Sequence, residues 1–392
     1  MIMLALEQLD IANKRIVVRE DFNVPMQDGQ ITDDTRLKAG IPTLEAIIAQ
    51  GGAAIVLSHF GRPTEGEFED QYSLEPIAGA LSQLMGRAVR FESDWLNGFD
   101  IAAGEILLCE NVRFEVGEKA NDDSLAKKMA ALGDIFVNDA FATAHRAQAS
   151  THGIAKYARV ACAGPLLKAE IDALSKALSN PDRPMVAIVG GSKVSTKLDV
   201  LETLSDKVDQ LIVGGGIANT FLLADGKTVG NSLAETDMVG IAERLIEKSN
   251  SAGATIPIAK DVICGKAFDP ATPAETKDAG SVEDDDMIMD LGPKSLQEIE
   301  TILANAGTIV WNGPLGVFEF GQFSTGTQKL ARAIADSKAF SIAGGGDTLA
   351  AITKFNVSEK ISYISTGGGA FLEFLEGKTL PAVEILQSRA AD

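Results

Sequence analysis

The sequence predicts an α/β protein made of two parallel-sheet domains. Short runs of β-branched or aliphatic residues alternate with helical stretches along almost the whole chain. The residues after these runs are basic in the first half and glycine in the second, and one helix near mid-chain ends in a proline-rich stretch. Buried strands that alternate with helices are typical of βαβ units, which form parallel sheets. A chain of 392 residues is long enough for two or three domains of ~150 residues each.

The composition is that of a folded, strongly acidic protein. Apolar residues make up 45% of the chain and charged residues 23%, which is ordinary for a globular protein and excludes a disordered one. The net charge of −20 argues against nucleic acid or an anionic membrane as a partner. The three cysteines form no Cys-x-x-Cys pair, the N-terminus lacks the basic region of a signal peptide, and no apolar run reaches ~18 residues. We therefore expect a cytoplasmic protein without a disulfide framework or a zinc ribbon.

Residues 1–164 are expected to form the first domain. Its strands are predicted at residues 15–19, 53–58, 105–109 and 134–138. A helix is predicted between the first two strands from apolar residues at helical spacing, namely Leu37, Ile41, Leu44, Ile47 and Ile48.

A helix at residues 165–178 is predicted to join the first domain to a second one. Pro181 and Pro184 follow this helix, and prolines stop a helix and stiffen the chain beyond it. We expect residues 165–184 to be the interdomain helix and linker, residues 185–376 the second domain, and residues 377–392 a tail that packs back on the first domain. Strands of the second domain are predicted at residues 185–189, 210–213, 308–311, 339–343 and 361–365. The acidic stretch 269–286 is expected to be a surface loop.

Basic side chains follow one predicted strand after another in the first half. Ligands of open α/β sheets lie beyond the carboxyl ends of the strands, so these side chains are candidate ligands. The candidate donors are Arg36, His59, Arg62, Arg113 and Arg146. Arginine suits a small polyanion because its planar group binds carboxylate and phosphate through two hydrogen bonds. Each arginine alone is better explained as a solvated surface charge, but four of them at successive strand ends favour an anion site.

Glycines follow the predicted strands of the second half. They stand in five turns, at residues 190–191, 214–216, 313, 344–346 and 367–369. A single such turn is a common connection between strand and helix, but five at one sheet edge predict a nucleotide site, since glycine lets backbone N–H groups approach phosphate. The P-loop and the dinucleotide fingerprint are both absent, so the site would be of another kind.

Two lysines and one aspartate complete the candidate nucleotide site. Lys193 and Lys197 lie four residues apart where a loop is expected to enter a helix, a spacing that would place both on one helical face. They are suitable charges for phosphates, or else two surface lysines. Asp347 follows a glycine triplet and could face Mg²⁺ on the phosphates or cap the next helix, and the two roles are compatible.

The chain resembles phosphoglycerate kinases along essentially its whole length. The resemblance rests on segments that occur in the same order as in that family, including Arg19-Glu20-Asp21-Phe22-Asn23-Val24-Pro25, Ser58-His59-Phe60-Gly61-Arg62-Pro63, Glu110-Asn111-Val112-Arg113-Phe114, Trp311-Asn312-Gly313-Pro314-Leu315-Gly316, Gly344-Gly345-Gly346-Asp347-Thr348 and Ser365-Thr366-Gly367-Gly368-Gly369. It implies two doubly wound, Rossmann-like parallel-sheet domains with a ligand cleft between them. It also implies a monomer that transfers a phosphoryl group reversibly from 1,3-bisphosphoglycerate to MgADP, giving 3-phosphoglycerate and MgATP.

The resemblance assigns roles to individual residues. The implied phosphoglycerate ligands are Asp21, Phe22, Asn23, Arg36, His59, Phe60, Gly61, Arg62, Arg113 and Arg146. The implied nucleotide ligands are Lys197, Gly215, Asn312, Pro314, Glu319, Gly345, Gly346, Asp347 and Thr348, with Asp347 reaching Mg²⁺ through the nucleotide. The implied catalytic groups are Arg36, Lys193, Lys197 and the backbone at Gly368. Two departures from the family are Glu20, where many members have an apolar residue, and Ala142, where glycine is usual.

Two other classes of function are weighed against this one. The first is another two-domain α/β enzyme, such as a nucleotide-dependent ligase or a dehydrogenase, and the missing dinucleotide fingerprint weighs against the dehydrogenase. A hinged anion-binding protein without catalysis would need neither the two lysines nor Asp347. No general base is expected, because the phosphoryl acceptor in the ATP-consuming direction is a carboxylate that is already ionised at pH 7.

Overall fold

The first compact unit of the protein is built on a six-stranded parallel sheet. The structure is a computed structural model that describes residues 3–391. This unit comprises the residues up to Asp172 together with those from Thr379 onward. Its strands are β1 Arg15–Arg19, β2 Met26–Gln27, β3 Gln30–Ile31, β4 Ala53–Leu57, β5 Val89–Glu92, β6 Ile106–Cys109, β7 Ile135–Asn138 and β8 Val160–Ala163. Its first helices are α1 Thr35–Ala49, α2 Glu75–Met85, α3 Asp123–Ala130, α4 Ile154–Tyr157 and α5 Pro165–Leu178.

The strand order makes neighbours of the strands that precede the predicted anion-binding residues. The sheet runs β5-β6-β4-β1-β7-β8, so β6, β4, β1 and β7 are consecutive neighbours. These strands are almost fully buried and consist of aliphatic residues, as expected for a parallel sheet covered on both faces. The small antiparallel ladder of β2 and β3 turns at Asp28 and Gly29, whose φ angles are both positive, as the tight turn of a two-residue hairpin requires.

The second compact unit, Ala173–Lys378, contains a separate five-stranded parallel sheet. Its strands are β9 Met185–Gly191, β10 Gln210–Gly214, β11 Asp261–Gly265, β12 Glu275–Asp278, β13 Met287–Leu291, β14 Thr308–Asn312, β15 Phe340–Gly344 and β16 Tyr363–Ser365. Its helices are α6 Leu198–Ser205, α7 Gly215–Ala224, α8 Val239–Ser251, α9 Pro293–Ala304, α10 Thr325–Asp336, α11 Gly346–Lys354 and α12 Gly369–Leu375. The parallel sheet runs β10-β9-β14-β15-β16, and an antiparallel sheet runs β12-β11-β13.

Both parallel sheets confirm the predicted α/β fold class. The predicted helix at residues 165–178 is α5, and the contact boundary between the two units falls within it, between Asp172 and Ala173. The chain ends in helix α13, Pro381–Ala391, whose Arg389 donates hydrogen bonds to the carbonyls of Lys156 (2.9 Å) and Ala158 (3.0 Å) in the first unit. Among residues 3–391, no helix combines the length and apolar character needed to cross a bilayer.

One prediction about an element is wrong. The stretch 269–286 is not simply a loop, because it contains β12, which pairs with β11 in the antiparallel sheet. The strand was missed because its residues, Glu-Thr-Lys-Asp, show no apolar alternation and are mostly exposed at a sheet edge. Its Lys277 is nevertheless held 2.8 Å from the buried carboxylate of Asp286, so ion pairing substitutes for apolar packing there.

Candidate functional site

A cluster of polar side chains stands at the carboxyl edge of the first sheet. Arg36, in the first turn of α1, lies 3.1 Å from the carboxylate of Asp21 and donates a 2.7 Å hydrogen bond to the carbonyl of Asn23. The side-chain oxygen of Asn23 accepts a 2.9 Å hydrogen bond from the N–H of Gly61, and Arg113 donates to the carbonyl of Gly61. Residues from β1, β4, β6 and α1 are therefore joined in one hydrogen-bonded chain.

His59 lies buried beneath this cluster and is uncharged. Its Nδ1 is 3.3 Å from the guanidinium of Arg19 and 3.7 Å from the carboxylate of Asp21. Burial lowers the pKa of His59 well below its usual value, and the nearby arginines, Arg19 and Arg113 first, lower it further. Because Arg19 can only donate, Nδ1 is the acceptor, and the ring presents its other nitrogen as an N–H donor.

Arg19 begins one of the segments that resemble the family, but no role in the site was predicted for it from the sequence. It is fully buried, and its Nε donates a 2.9 Å hydrogen bond to the hydroxyl of Ser150. That hydroxyl donates to the buried carboxylate of Glu118, which balances the charge of Arg19. Glu118 and Ser150 therefore hold Arg19 in place, and Arg19 in turn fixes the ring of His59. The signals in the sequence were the position of Arg19 at a strand end and at the start of the family-like segment.

The remaining arginines give the cluster a strong positive charge. Burial, together with repulsion from Arg146 and Arg19, lowers the pKa of Arg113 to about 10. Arg62 and Arg146 are exposed at the same edge, and both act on Arg113 through their charges. Mutual repulsion among arginines is unfavourable in the free protein and is relieved by an anion, so the site is suited to a small polyanion.

Two of the predicted ligands and one unpredicted asparagine lie beneath the cluster. The side chains of Phe22 and Phe60 belong to the hydrophobic core of this unit, so neither ring faces the charged groups. Asn111 is fully buried and accepts hydrogen bonds from the N–H groups of Phe60 and Arg113, both at 3.1 Å. Ala142 lies in a 3-10 turn and is absent from the described residues with positive φ, so alanine is accommodated at this position without strain.

The second candidate site lies at the carboxyl edge of the five-stranded sheet. All five strands are parallel, so all five predicted glycine turns come to one edge. Some of these glycines serve the packing of the backbone itself: a Cβ on Gly190 would stand 2.0 Å from the carbonyl oxygen of Pro314. Others border open space: a Cβ added at Gly346, or at Gly368 with its φ of +48°, would meet no heavy atom within 4 Å. The second kind leaves open space beside the backbone for a ligand.

Lys197 is the best-positioned cation of this edge. Its ammonium donates a 2.7 Å hydrogen bond to the side-chain oxygen of Asn312, whose amide donates a 2.8 Å hydrogen bond to the carbonyl of Gly344. Burial lowers the pKa of Lys197, while the charge of Asp347 acts to raise it. Thr348 carries no charge but accepts a 2.7 Å hydrogen bond from the N–H of Gly313, which ties α11 to the loop after β14.

The two lysines do not share a helical face, contrary to the prediction. Helix α6 begins at Leu198, so Lys193 and Lys197 both precede it. The carboxylate of Glu235 accepts hydrogen bonds from the N–H (2.8 Å) and the hydroxyl (2.6 Å) of Ser195, and this holds the segment as a turn. Lys197 reaches the sheet edge from this turn, whereas Lys193 is exposed.

Asp347 does not cap its helix. The N-cap position of α11 is occupied by Gly345, and Asp347 is exposed in the first turn. Of the two roles considered for it, capping is therefore excluded. A single exposed carboxylate beside phosphate-binding groups fits Mg²⁺, which keeps several waters and binds through one or two carboxylates together with substrate phosphates.

A cavity of about 350 Å³ adjoins the glycine edge. Its walls are mainly apolar and include Gly215, Leu233, Phe268, Leu315 and Val317. Leu233 and Phe268 are large apolar residues that are 53% and 63% exposed at its rim. Of these residues only Gly215 was predicted from the sequence, because isolated leucine and phenylalanine residues carry no motif. Glu319, one of the implied nucleotide ligands, is exposed in the loop that also supplies Leu315 and Val317.

These features define an α/β protein with a charged arginine cluster at one parallel sheet and a glycine-rich edge with an apolar cavity at the other. The family model described as phosphoglycerate kinase matches residues 6–378. A phosphoglycerate kinase of Francisella philomiragia is 59% identical over 390 residues, covering 100% of both chains. The chain belongs to the phosphoglycerate kinase family. It is a phosphotransferase, and the reaction of the family is reversible transfer of a phosphoryl group between 1,3-bisphosphoglycerate and ADP.

Two solved structures show how closely the fold is shared. The structure of phosphoglycerate kinase from Coxiella burnetii matches with a TM-score of 0.97 at 53% identity, covering 99% of this chain and 100% of that one. The crystal structure of the enzyme from Pyrococcus horikoshii matches with a TM-score of 0.82 at 33% identity over the same shares. The predicted family and fold class are therefore confirmed.

Proposed function

We propose that the first unit binds the phosphoglycerate and the second binds MgADP or MgATP, and that the residues described above carry out the transfer. The observation that supports this division most strongly is the hydrogen-bonded chain of Arg36, Asp21, Asn23, Gly61 and Arg113. Its two guanidinium groups outnumber its one carboxylate, so it presents a net positive charge. A substrate with one phosphate and one carboxylate suits such a site, since guanidinium groups bind both anions.

Roles within the phosphoglycerate site follow from charge and exposure. Arg62 and Arg146 are exposed and accessible to a phosphate, with the Nε of Arg146 donating to the ring of His145, while Arg113 is held in place by Gly61. His59 is neutral and contributes an N–H rather than a base. Phe22, Phe60 and Gly61 act through their backbone and by packing, because the two rings are buried. Arg36 is partly exposed and stands at the edge, so we assign it to the reacting end of the substrate.

The nucleotide site divides into a phosphate part and a nucleoside part. Lys197, with Lys193 nearby in sequence, and the backbone at Gly345, Gly346 and Gly368 would contact the phosphates. The apolar cavity beside Gly215 would take the base, and Glu319 the ribose, with Asn312 and Pro314 forming the floor between the two parts. When bound on the phosphates, Mg²⁺ would neutralise their charge, and Asp347 is the carboxylate placed to hold it.

The chemistry requires positioning and charge rather than proton transfer. The accepting carboxylate of 3-phosphoglycerate is ionised at neutral pH, and in the structure His59 is uncharged and already accepts from Arg19. Arg36 and Lys197, together with N–H groups near Gly368, would stabilise the charge of the phosphoryl group in transit. In-line transfer needs the reacting oxygen ~3–3.5 Å from phosphorus with water excluded, and closure around α5 is the movement we propose for meeting this requirement.

We also propose a cytoplasmic monomer. All three cysteines are buried and free, which suits a reducing compartment. Every residue assigned to a substrate comes from this one chain, so no second copy is needed to complete either site.

A coupled assay tests the proposal directly. We expect consumption of MgATP that depends on 3-phosphoglycerate and stops when the metal is removed with a chelator and returns when Mg²⁺ is added. Asp347→Asn should raise the Mg²⁺ concentration needed for half-maximal rate, and Asp336→Asn, an exposed aspartate on α10, is the control. Equal Mg²⁺ dependence in both variants would contradict the role of Asp347.

A further inference from the structure

The loop that carries Phe268 is attached at both ends to other parts of the second unit. This loop, residues 266–272, follows β11, and Phe268 lines the apolar cavity. At its start, Lys266 is paired with three carboxylates, including the buried Asp286 at 2.9 Å. At its end, the side-chain amide of Gln322 donates hydrogen bonds to the carbonyls of Pro270 (2.9 Å) and Thr272 (2.8 Å).

The third attachment is a direct contact between the rings of Phe320 and Phe268. The two rings lie 5.0 Å apart between centroids with an interplanar angle of 50°, which is within the range of favourable aromatic pairs. Phe320 is half-buried, whereas Phe268 is 63% exposed. One side of the Phe268 ring therefore packs on Phe320, while Phe268 also lines the cavity.

The two tethering residues belong to the loop after β14, which already serves the nucleotide. This loop supplies Leu315 and Val317 to the cavity wall, and Glu319 immediately precedes Phe320. A displacement of this loop would therefore move both the wall on its own side and the Phe268 ring on the other side. The contacts of Phe320 and Gln322 therefore couple the two walls of the cavity.

We propose that Phe320 and Gln322 are positioning residues that hold Phe268 as a preformed wall for the base of the bound nucleotide. This inference rests on the proposed function, since it requires the base to occupy the cavity. Without the two contacts, the exposed loop would have to be ordered whenever nucleotide binds, and ordering a side chain or loop weakens binding. Neither residue needs to touch the nucleotide, and neither is placed to act on the phosphates.

The test compares nucleotide binding with binding of a ligand that has no base. Phe320→Ala and Gln322→Leu should each raise the dissociation constant of MgADP about three- to tenfold, while that of inorganic tripolyphosphate with Mg²⁺ stays within about twofold of the unaltered protein. The KM for MgATP should rise with little change in kcat or in the KM for 3-phosphoglycerate. Matched controls are Phe68→Ala, which disrupts an aromatic pair in the first unit, and Gln297→Leu, an exposed glutamine on α9.

A second comparison shows whether the effect passes through Phe268. In a Phe268→Ala background, Phe320→Ala and Gln322→Leu should add less than about twofold to the dissociation constant, because the ring they hold is gone. Full additivity, or equal weakening of tripolyphosphate and MgADP, would overturn the inference. If the unaltered protein and both single variants bind MgADP with the same dissociation constant, the inference about Phe320 and Gln322 is wrong but the proposed function stands. If the unaltered protein does not bind MgADP, the proposed function fails.

Discussion

The contacts of Arg36 lead to a prediction about its role in catalysis. It is fixed by Asp21 and Asn23 yet 36% exposed, so its guanidinium is oriented and still accessible. We expect Arg36→Ala to lower kcat about a hundredfold, because a charge that acts mainly in the transition state is worth ~3 kcal/mol. Steady-state kinetics would measure this, with the KM for 3-phosphoglycerate changing much less.

Arg36→Lys is the informative companion variant. Lysine keeps the charge but loses the planar fork that contacts Asp21 and Asn23 together, so kcat should recover only in part. Folding is monitored by thermal unfolding of all three proteins. An Arg36→Ala enzyme with unchanged kcat and a raised KM would show that Arg36 serves ground-state binding.

Glu20 is an unusual residue in the core of the first unit. It is 1% exposed, its Oε1 has no hydrogen-bond partner among the described residues, and burial followed by the charge of Asp139 raises its pKa well above the usual value. Asp139 is also buried, and its pKa is raised to about 6. A carboxyl with a raised folded-state pKa stabilises the fold most at low pH and loses that contribution as the pH increases above its unfolded-state value of ~4.3.

Replacing Glu20 should therefore change the pH dependence of stability. Glu20→Met fills a similar volume without a polar group, so we expect the urea midpoint to increase more at pH 8 than at pH 5.5. The gain at pH 8 should correspond to ~1–3 kcal/mol, the cost of leaving a buried polar group without a partner. Glu20→Gln, which removes only the charge, should also flatten the pH dependence. Parallel pH profiles for the altered and unaltered proteins would contradict this assignment.

Among the secondary-structure elements, the hydrophobic pattern predicted strands that are long, apolar and buried. It missed strands that are short or have no apolar pattern. β14 is a run of buried aliphatic and aromatic residues and was found from the sequence almost to its ends. β8, Val-Ala-Cys-Ala, is too short and small to stand out, and β12 has no apolar pattern. The missed strands are at sheet edges or in the small antiparallel sheet, where the local pattern carries little information about pairing partners.

The candidate site was predictable where a motif lies directly after a strand. Asp21, Asn23, His59 and Arg113 follow β1, β4 and β6, and the structure brings them together because those strands are neighbours. Arg19 and Phe268 were missed because their roles depend on contacts with distant segments, at Ser150 and Phe320 respectively. Spacing along the chain does not report such contacts.

Separate ligands should protect separate elements from hydrogen exchange. With 3-phosphoglycerate alone, we expect slower exchange in the segments after β1, β4 and β6 and in the first turn of α1. With MgADP alone, the segments after β9, β14 and β15 should be protected, because Lys197, Asn312 and Asp347 lie there. Mass spectrometry of peptides would resolve the two patterns, and protection of a single unit by both ligands would contradict the division of roles.

For the whole molecule, the proposed division of the two substrates between the two units leads to a prediction of closure when both are bound. We expect the radius of gyration from small-angle scattering to be smaller for the ternary complex than for the free protein, with each binary complex closer to the free protein. The complex of MgADP and 3-phosphoglycerate, which cannot react, is suitable for this measurement. Identical radii in the free and ternary states of an active preparation would exclude closure.

Because α13 belongs to the first unit, all residues of the second unit are synthesised before the first unit receives this helix. The second unit is continuous, so it has all its residues once Lys378 has left the ribosome, whereas the first unit still lacks α13. Until then the N–H of Ala382 cannot reach the carbonyl of Ala144, nor Arg389 the segment after α4. Domains fold as units during translation, usually from the N-terminus onward. Here the first unit is begun before the second and receives α13 only after it, so a nascent chain that stops between Lys378 and α13 would carry all of the second unit and a first unit without α13.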